Sequence, residues 1–257
     1  MGNRVLKSPI KKFNEHLTEE QAAAKKVINS KTLTILNGRA GTGKTHLAVC
    51  YALEQLNLFK VKQSDIQRIV ITRATVMRKD HNNGFLPGDI QEKFNPWLQP
   101  IYDNMLQFLD HGKEDLDNLM KDSTVEIVPL SFLQGRTFVN SIIIVDEAQN
   151  LDEFEIEMLF TRIGKGSKMV LCGDLRQRII EGRSGLEYLI RTAEELDRCA
   201  VITLNTNFRD PIVDELLLTY EKMVTDGKHK QNQERYTPRV GRLFERGEVL
   251  LRVSEDS

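Results

Sequence analysis

Gly38-Arg39-Ala40-Gly41-Thr42-Gly43-Lys44-Thr45 is the stretch whose reading decides the fold. A β-rich run, Thr32 to Leu36, leads into it. Helically spaced apolar residues follow it from Lys44 to Leu58: Leu47, Ala48, Tyr51, Ala52 and Leu56. A strand feeding a glycine loop that opens a helix is the context a phosphate-binding loop requires. The glycines let the main chain approach an anion closely. Successive N–H groups and the positive end of the helix then cradle it. On this reading Gly38, Arg39, Ala40, Gly41, Thr42, Gly43 and the adjoining His46 line a nucleotide site. Lys44 reaches the β- and γ-phosphates and Thr45 ligates Mg²⁺. The competing reading is a chance glycine-rich turn, which the flanking strand and helix disfavour.

Moving outward, Ser141-Ile142-Ile143-Ile144-Val145-Asp146-Glu147 is a hydrophobic strand ending in two acids. Ligands of open α/β sheets bind at that end of a strand. Asp146 is expected to hold Mg²⁺ through water, and Glu147 to act as general base toward an attacking water. The second acid points to ATP hydrolysis rather than phosphoryl transfer to a small molecule. Met169 to Asp174 is another strand, and Gln177 just beyond it is the candidate sensor of γ-phosphate, with Asp174 as the alternate. Arg209, after the last strand, is the candidate arginine finger. A salt bridge to Asp210 or Asp214 is the bland alternative for it.

The rest of the chain supports an α/β reading. Thr18-Glu19-Glu20-Gln21 has the pattern of a capping box, opening a helix to about Asn29. Strands are expected at Arg68–Thr72, 125–130, 168–172 and 200–204. Helices are expected at 89–109 with a break at Pro96 or Pro100, at 152–163, at 186–196 and at 211–223. The polar, acidic stretch 110–122 reads as a surface connection. Strands alternating with helices imply a three-layer α/β/α domain with a mainly parallel sheet. Hydrophobic residues make up 40% of the 257 and charged residues 28%, the mix expected of a soluble globular protein rather than a disordered or membrane one. No run approaches the roughly 20 apolar residues of a membrane span. Three widely spaced cysteines, Cys50, Cys172 and Cys199, make neither a disulfide framework nor a zinc site, so a cytoplasmic home is the default. A net charge of −1 confines any nucleic-acid site to a local patch.

Further residues carry a family resemblance: Arg73; Gly84-Phe85-Leu86-Pro87-Gly88-Asp89; Lys93, Pro96, Pro100 and Asp103; Gly135-Arg136-Thr137-Phe138; and Asp146-Glu147-Ala148-Gln149-Asn150. Together they resemble the PhoH family, over about Thr18 to Tyr220. That resemblance implies a RecA-like core similar to the first such domain of superfamily-one helicases. It also implies nucleic-acid coupling and ring oligomers. By the same resemblance Gln21 reads adenine, Thr72 and Arg73 face nucleic acid, Gln149 and Gln177 couple nucleotide state to the rest of the machine, and Arg209 faces γ-phosphate. Ala74 stands where the family usually has proline, and Gln134 where arginine is common. Both departures touch the nucleic-acid surface rather than the ATP site.

A basic segment, Arg68, Arg73, Arg78, Lys79, His81 and Lys93, is interleaved with Phe85, Phe94 and Trp97, and Arg136 joins it. It is the expected single-strand surface, although Phe94 and Trp97 also fit an ordinary helical core face. The expected organisation is an N-terminal extension (1–17), an ATPase domain (18–224, with an insertion at about 74–122) and a C-terminal extension (225–257). Seventeen residues before Thr18 are too few for an appended nuclease domain of the PIN type, so no nuclease activity is expected. The leading expectation is a helicase-like ATPase with ATP and Mg²⁺ as ligands, assembled as a homo-oligomer such as a hexamer, and without membrane contact. An ATP-dependent switch that binds a protein partner is the alternative. A nucleoside kinase ranks lower, because no Cys-x-x-Cys occurs.

Overall fold

The computed structural model describes residues 17–74, 90–180 and 182–225. The chain divides into two compact units between Thr206 and Asn207. The first unit opens with α1 (Glu19–Ser30). Thr18 Oγ1 accepts the Gln21 N–H at 3.2 Å, and Gln21 Oε1 accepts the Thr18 N–H at 3.3 Å, so the capping box forms as its spacing predicts. Then come β1 (Leu33–Gly38), α2 (Lys44–Lys60), β2 (Arg68–Arg73), α3 (Ile90–Leu106), α4 (Lys113–Lys121) and β3 (Val125–Ile127). They are followed by β4 (Ser141–Asp146), α5 (Glu153–Phe160), β5 (Lys168–Gly173), α6 (Gly185–Ala193) and β6 (Cys199–Leu204).

The strands form one sheet in the order β3-β2-β4-β5-β1-β6, and every neighbouring pair is parallel. β5 lies between β1, which carries the glycine loop, and β4, which carries the two acids. That interposed strand makes the sheet RecA-like. Alternate residues of each strand supply opposite faces. Ile142 and Ile144 pack with α1 to α4, against Ile28, Leu47, Tyr51, Ile101 and Leu116. Ile143 and Val145 pack on the other side with Leu133, Phe138, Ile156, Leu159, Leu186 and Leu189. With both faces covered, the central strands are continuously apolar, as buried parallel strands should be.

Three local expectations are corrected. One helix, α3, runs unbroken past both Pro96 and Pro100. Each proline removes a single ladder bond, whereas Leu98, Ile101 and Met105 are buried and hold the helix in place. Stretch 110–122 holds a true helix, α4, rather than a plain connection. Its polar composition hides an apolar stripe of Leu116, Leu119 and Met120 at helical spacing, and the Asp115 carboxylate accepts the His111 N–H at 2.9 Å. The strand expected over 125–130 ends at Ile127, after which the chain turns into a short 3-10 helix, Leu130–Leu133.

The second unit contains α7 (Pro211–Thr225). Proline takes its first position, and the Asp210 carboxylate accepts the Ile212 N–H at 3.0 Å, a standard N-terminal arrangement.

Candidate functional site

The glycine loop leaves β1 at the C-terminal edge of the sheet. A side chain at Gly38 would run into the carbonyl oxygen of Leu204 on β6, so the loop must start on a residue without a Cβ. Gly43, at φ 76°, turns the chain into α2. Between them the Thr42 hydroxyl donates to the Arg39 carbonyl at 2.9 Å. The Lys44 ammonium donates to the carbonyls of Gly38 (2.7 Å) and Arg39 (2.9 Å), which places its charge in the bowl of the loop.

The Thr45 hydroxyl donates to Asp146 Oδ1 at 2.6 Å. This bond spans 101 residues of sequence and joins the start of α2 to the end of β4. Asp146 is 6% exposed. Burial pushes its carboxyl above the usual carboxylate range, while the Thr45 hydroxyl and the Arg73 guanidinium pull it back down.

Arg73, at the tip of β2, bridges the acid pair. Its Nη1 lies 3.3 Å from Asp146 Oδ2 and its Nη2 donates to Glu147 Oε1 at 3.1 Å. The β2–β4 register sets this, because Arg73 stands directly beside Asp146 and the next N–H, of Ala74, donates to the Asp146 carbonyl at 3.0 Å. The other Glu147 oxygen accepts Gln149 Nε2 at 2.6 Å. Gln149 is fully buried, and its Oε1 accepts the Asp174 N–H at 3.0 Å. The Asp174 carboxylate caps the turn after β5 by accepting the Arg176 N–H at 3.1 Å. Burial raises its carboxyl, opposed by this bond and by the charges of Lys44 and Arg176. A chain of polar contacts thus runs Arg73–Glu147–Gln149–Asp174 across β2, β4 and β5. Glu147 itself holds φ 53°, a left-handed conformation that non-glycine residues adopt rarely and mostly at functional sites.

The remaining expected site residues fall in several places. Gln21 is buried, with its side-chain oxygen engaged in the α1 cap. The preceding residue of the same helix, Glu20, accepts the N–H groups of Asn205 and Thr206 (2.8 and 3.0 Å), fixing the end of β6 beside the loop. His46 points to α3: Nδ1 is 3.3 Å from Asn104 Oδ1, the ring lies 4.6 Å from that of Phe108, and burial lowers its basicity. Thr72 is fully buried at the end of β2, and its hydroxyl has no partner among the described residues. Arg136 lies 4.6 Å above the Phe138 ring and donates to Glu126 Oε2 at 2.7 Å, while Arg68 reaches Glu126 Oε1 at 3.3 Å. One glutamate on β3 therefore neutralises part of the expected basic patch. Gln177 is exposed at the end of the 3-10 turn Leu175–Gln177. Arg209 belongs to the second unit, where its N–H donates to Asn207 Oδ1 at 3.0 Å. Arg78, Lys79, His81 and Phe85 lie outside the described residues.

The bridging of both acids by Arg73 is the feature sequence reasoning missed. The missing signal was register: nothing in the spacing of Arg73 and Asp146 along the chain shows that their strands are neighbours. Among the described residues no group of three or more His, Cys, Asp or Glu could hold a metal. None of the described helices is long and apolar enough to cross a membrane.

Compared with known proteins, residues 15–221 match the family described as PhoH-like protein. The chain belongs to the PhoH family. Its relatives include a PhoH-like protein of Synechocystis sp., 35% identical over 201 residues, which are 77% of this chain and 59% of the relative. The PhoH-like protein of Bacillus subtilis is 38% identical over 189 residues, 72% of this chain and 57% of that protein. Protein PhoH of Escherichia coli K12 is 38% identical over 159 residues, 62% of this chain and 43% of that protein. The chain thus spans about half the length of these relatives. Among solved structures, the Pif1 helicase from Candida albicans aligns with 80% of this chain and 43% of its own, with a TM-score of 0.43 and 17% identity. The fold assignment rests on the strand order described above.

Proposed function

We propose that this PhoH-family chain is a Mg²⁺-dependent ATPase whose turnover is coupled to single-stranded nucleic acid. The observation that carries this reading is the 2.6 Å bond from the Thr45 hydroxyl to Asp146. It brings the hydroxyl at the end of the phosphate loop and the carboxylate at the end of β4 to one point. These are the two protein oxygens that phosphate-loop enzymes use for Mg²⁺. Mg²⁺ accepts few protein ligands and takes the rest from phosphate and water, so this donor set fits it. When bound, the cation neutralises charge on the β- and γ-phosphates.

The chain's own residues do the rest. The loop N–H groups from Gly38 to Thr45 orient the phosphates, with His46 packed behind them against α3. Lys44 exchanges its two carbonyl partners for phosphate oxygens. Glu147 accepts a proton from the attacking water. Gln177 and Asp174 stand at the tip of β5 as candidate γ-phosphate sensors. Gln21 contacts adenine, and Arg209 acts on γ-phosphate in an oligomer such as a hexamer, with ATP between subunits. The polymer meets the tip of β2 at Arg73 and the surface that includes Arg78, Lys79 and Arg136, with Thr72 beneath it as support.

The test is ATP hydrolysis by wild type and Glu147→Gln, each with and without single-stranded RNA or DNA. Turnover that the substitution abolishes and one polymer stimulates supports the reading and identifies the polymer. Turnover that survives the substitution sinks it.

A further inference from the structure

We propose that Arg73 is a positioning residue that holds Glu147 idle, and that a phosphodiester of single-stranded nucleic acid competes for its guanidinium and frees the base. The inference rests on the ATPase reading above and adds the step by which the polymer acts.

A carboxylate works as a base only when an oxygen is directed at the proton it takes. In this structure both Glu147 oxygens are engaged: Oε1 by Arg73 Nη2 at 3.1 Å and Oε2 by Gln149 Nε2 at 2.6 Å. The left-handed backbone at Glu147 means that the surroundings, not local preference, set this orientation.

Arg73 makes two unequal contacts. Its link to Asp146 is the more buried, because that side chain is 9% exposed, whereas the Glu147 side chain is 33% exposed and Arg73 itself 21%. The Glu147 end of the fork is the one an incoming group can reach. A guanidinium binds carboxylate and phosphate with the same planar fork, so exchanging Glu147 for a phosphodiester keeps a charge-assisted acceptor on Arg73. The exchange leaves the Asp146 contact in place and releases Oε1 toward the phosphate loop. Gln149 still ties Oε2 to the tip of β5 through the Asp174 N–H, so the freed carboxylate stays oriented. No covalent bond changes in this step. Polymer binding alters only which acceptor Arg73 holds.

The experiment measures steady-state ATP hydrolysis by wild type, Arg73→Gln, Arg73→Lys and Glu147→Gln, with and without a single-stranded RNA or DNA oligonucleotide. Equilibrium nucleotide binding is measured on the same samples. For Arg73→Gln, basal kcat is expected to rise by about tenfold or more, within the roughly 10²–10⁴-fold a positioned base contributes. Its KM for ATP should change less than about twofold, and stimulation by polymer should fall toward one. Arg73→Lys, a point charge that cannot fork across two carboxylates, should shift in the same direction and serves if Arg73→Gln does not fold. A basal kcat that falls, or stays level while stimulation persists, overturns the proposal and leaves Arg73 as a structural or contact residue. Wild type unaffected by either polymer overturns the release step. Hydrolysis that survives Glu147→Gln is a separate failure, that of the ATPase reading itself.

Discussion

Replacing Thr45 by valine keeps the volume of the side chain and removes the hydroxyl that donates to Asp146 at 2.6 Å. A hydrogen bond to a charged group contributes about 1.5–3 kcal/mol, and Asp146, 6% exposed, has little water to replace it. With about 2 kcal/mol lost, and about 2–4 °C per kcal/mol for a domain of this size, the melting temperature should fall by about 4–8 °C. The sign of the pH dependence follows from the carboxyl. The Thr45 bond lowers an Asp146 pKa that burial has raised, so its loss raises that pKa further. The variant then binds the Asp146 proton more tightly in the folded state than wild type does. Its deficit should be small in acid, where Asp146 is protonated in both proteins, and should grow as pH rises through the two folded-state pKa values. Thermal unfolding followed by circular dichroism from acid to neutral pH, without nucleotide, measures this, and Thr45→Ser is the control that keeps the hydroxyl. An equal deficit at both ends of the pH range, or none at neutral pH, would refute the reasoning, because Thr45 would then not be supporting an ionised Asp146.

Other outcomes follow from the same geometry. Gly185→Ala should cost about 1–3 kcal/mol in chemical denaturation, since a Cβ there meets the Asp152 carbonyl and comes within 2.7 Å of Ile156 Cγ1. Asp174→Asn should be at least as stable as wild type at neutral pH. Burial raises the Asp174 carboxyl, so its ionisation opposes folding above the folded pKa and not below the unfolded one, and the gain should vanish in acid. A thiol reagent should modify Cys199 first in the native protein. Cys50 and Cys172 are buried, and burial pushes the Cys50 thiol up to about 12 and the Cys172 thiol higher still. Rapid labelling of all three without denaturant would contradict the packing of β5 and α2.

The local chemistry was readable in the chain before any coordinates. The glycine loop, the capping box at Thr18 and the apolar strand ending in Asp146-Glu147 are written in contiguous residues, because turns, caps and buried strands depend on neighbours only a few positions apart. Most elements also lie within a few residues of where the sequence pattern puts them. The exceptions are α3 and α4, because proline and acidic composition are weak evidence against a helix whose apolar stripe is buried. Tertiary structure alone decided that β5 separates β1 from β4, and that β2 is the neighbour of β4 on its other side. Strand order depends on long-range packing that no local pattern encodes. From that order come the contact of Thr45 with Asp146, the grip of Arg73 on both acids, the capture of Arg136 by Glu126 and the hold of Gln149 on the Asp174 N–H. The residues of the site were legible one by one. Their partners were not, because a side chain's electrostatic environment is set by whichever strands the fold lays beside it.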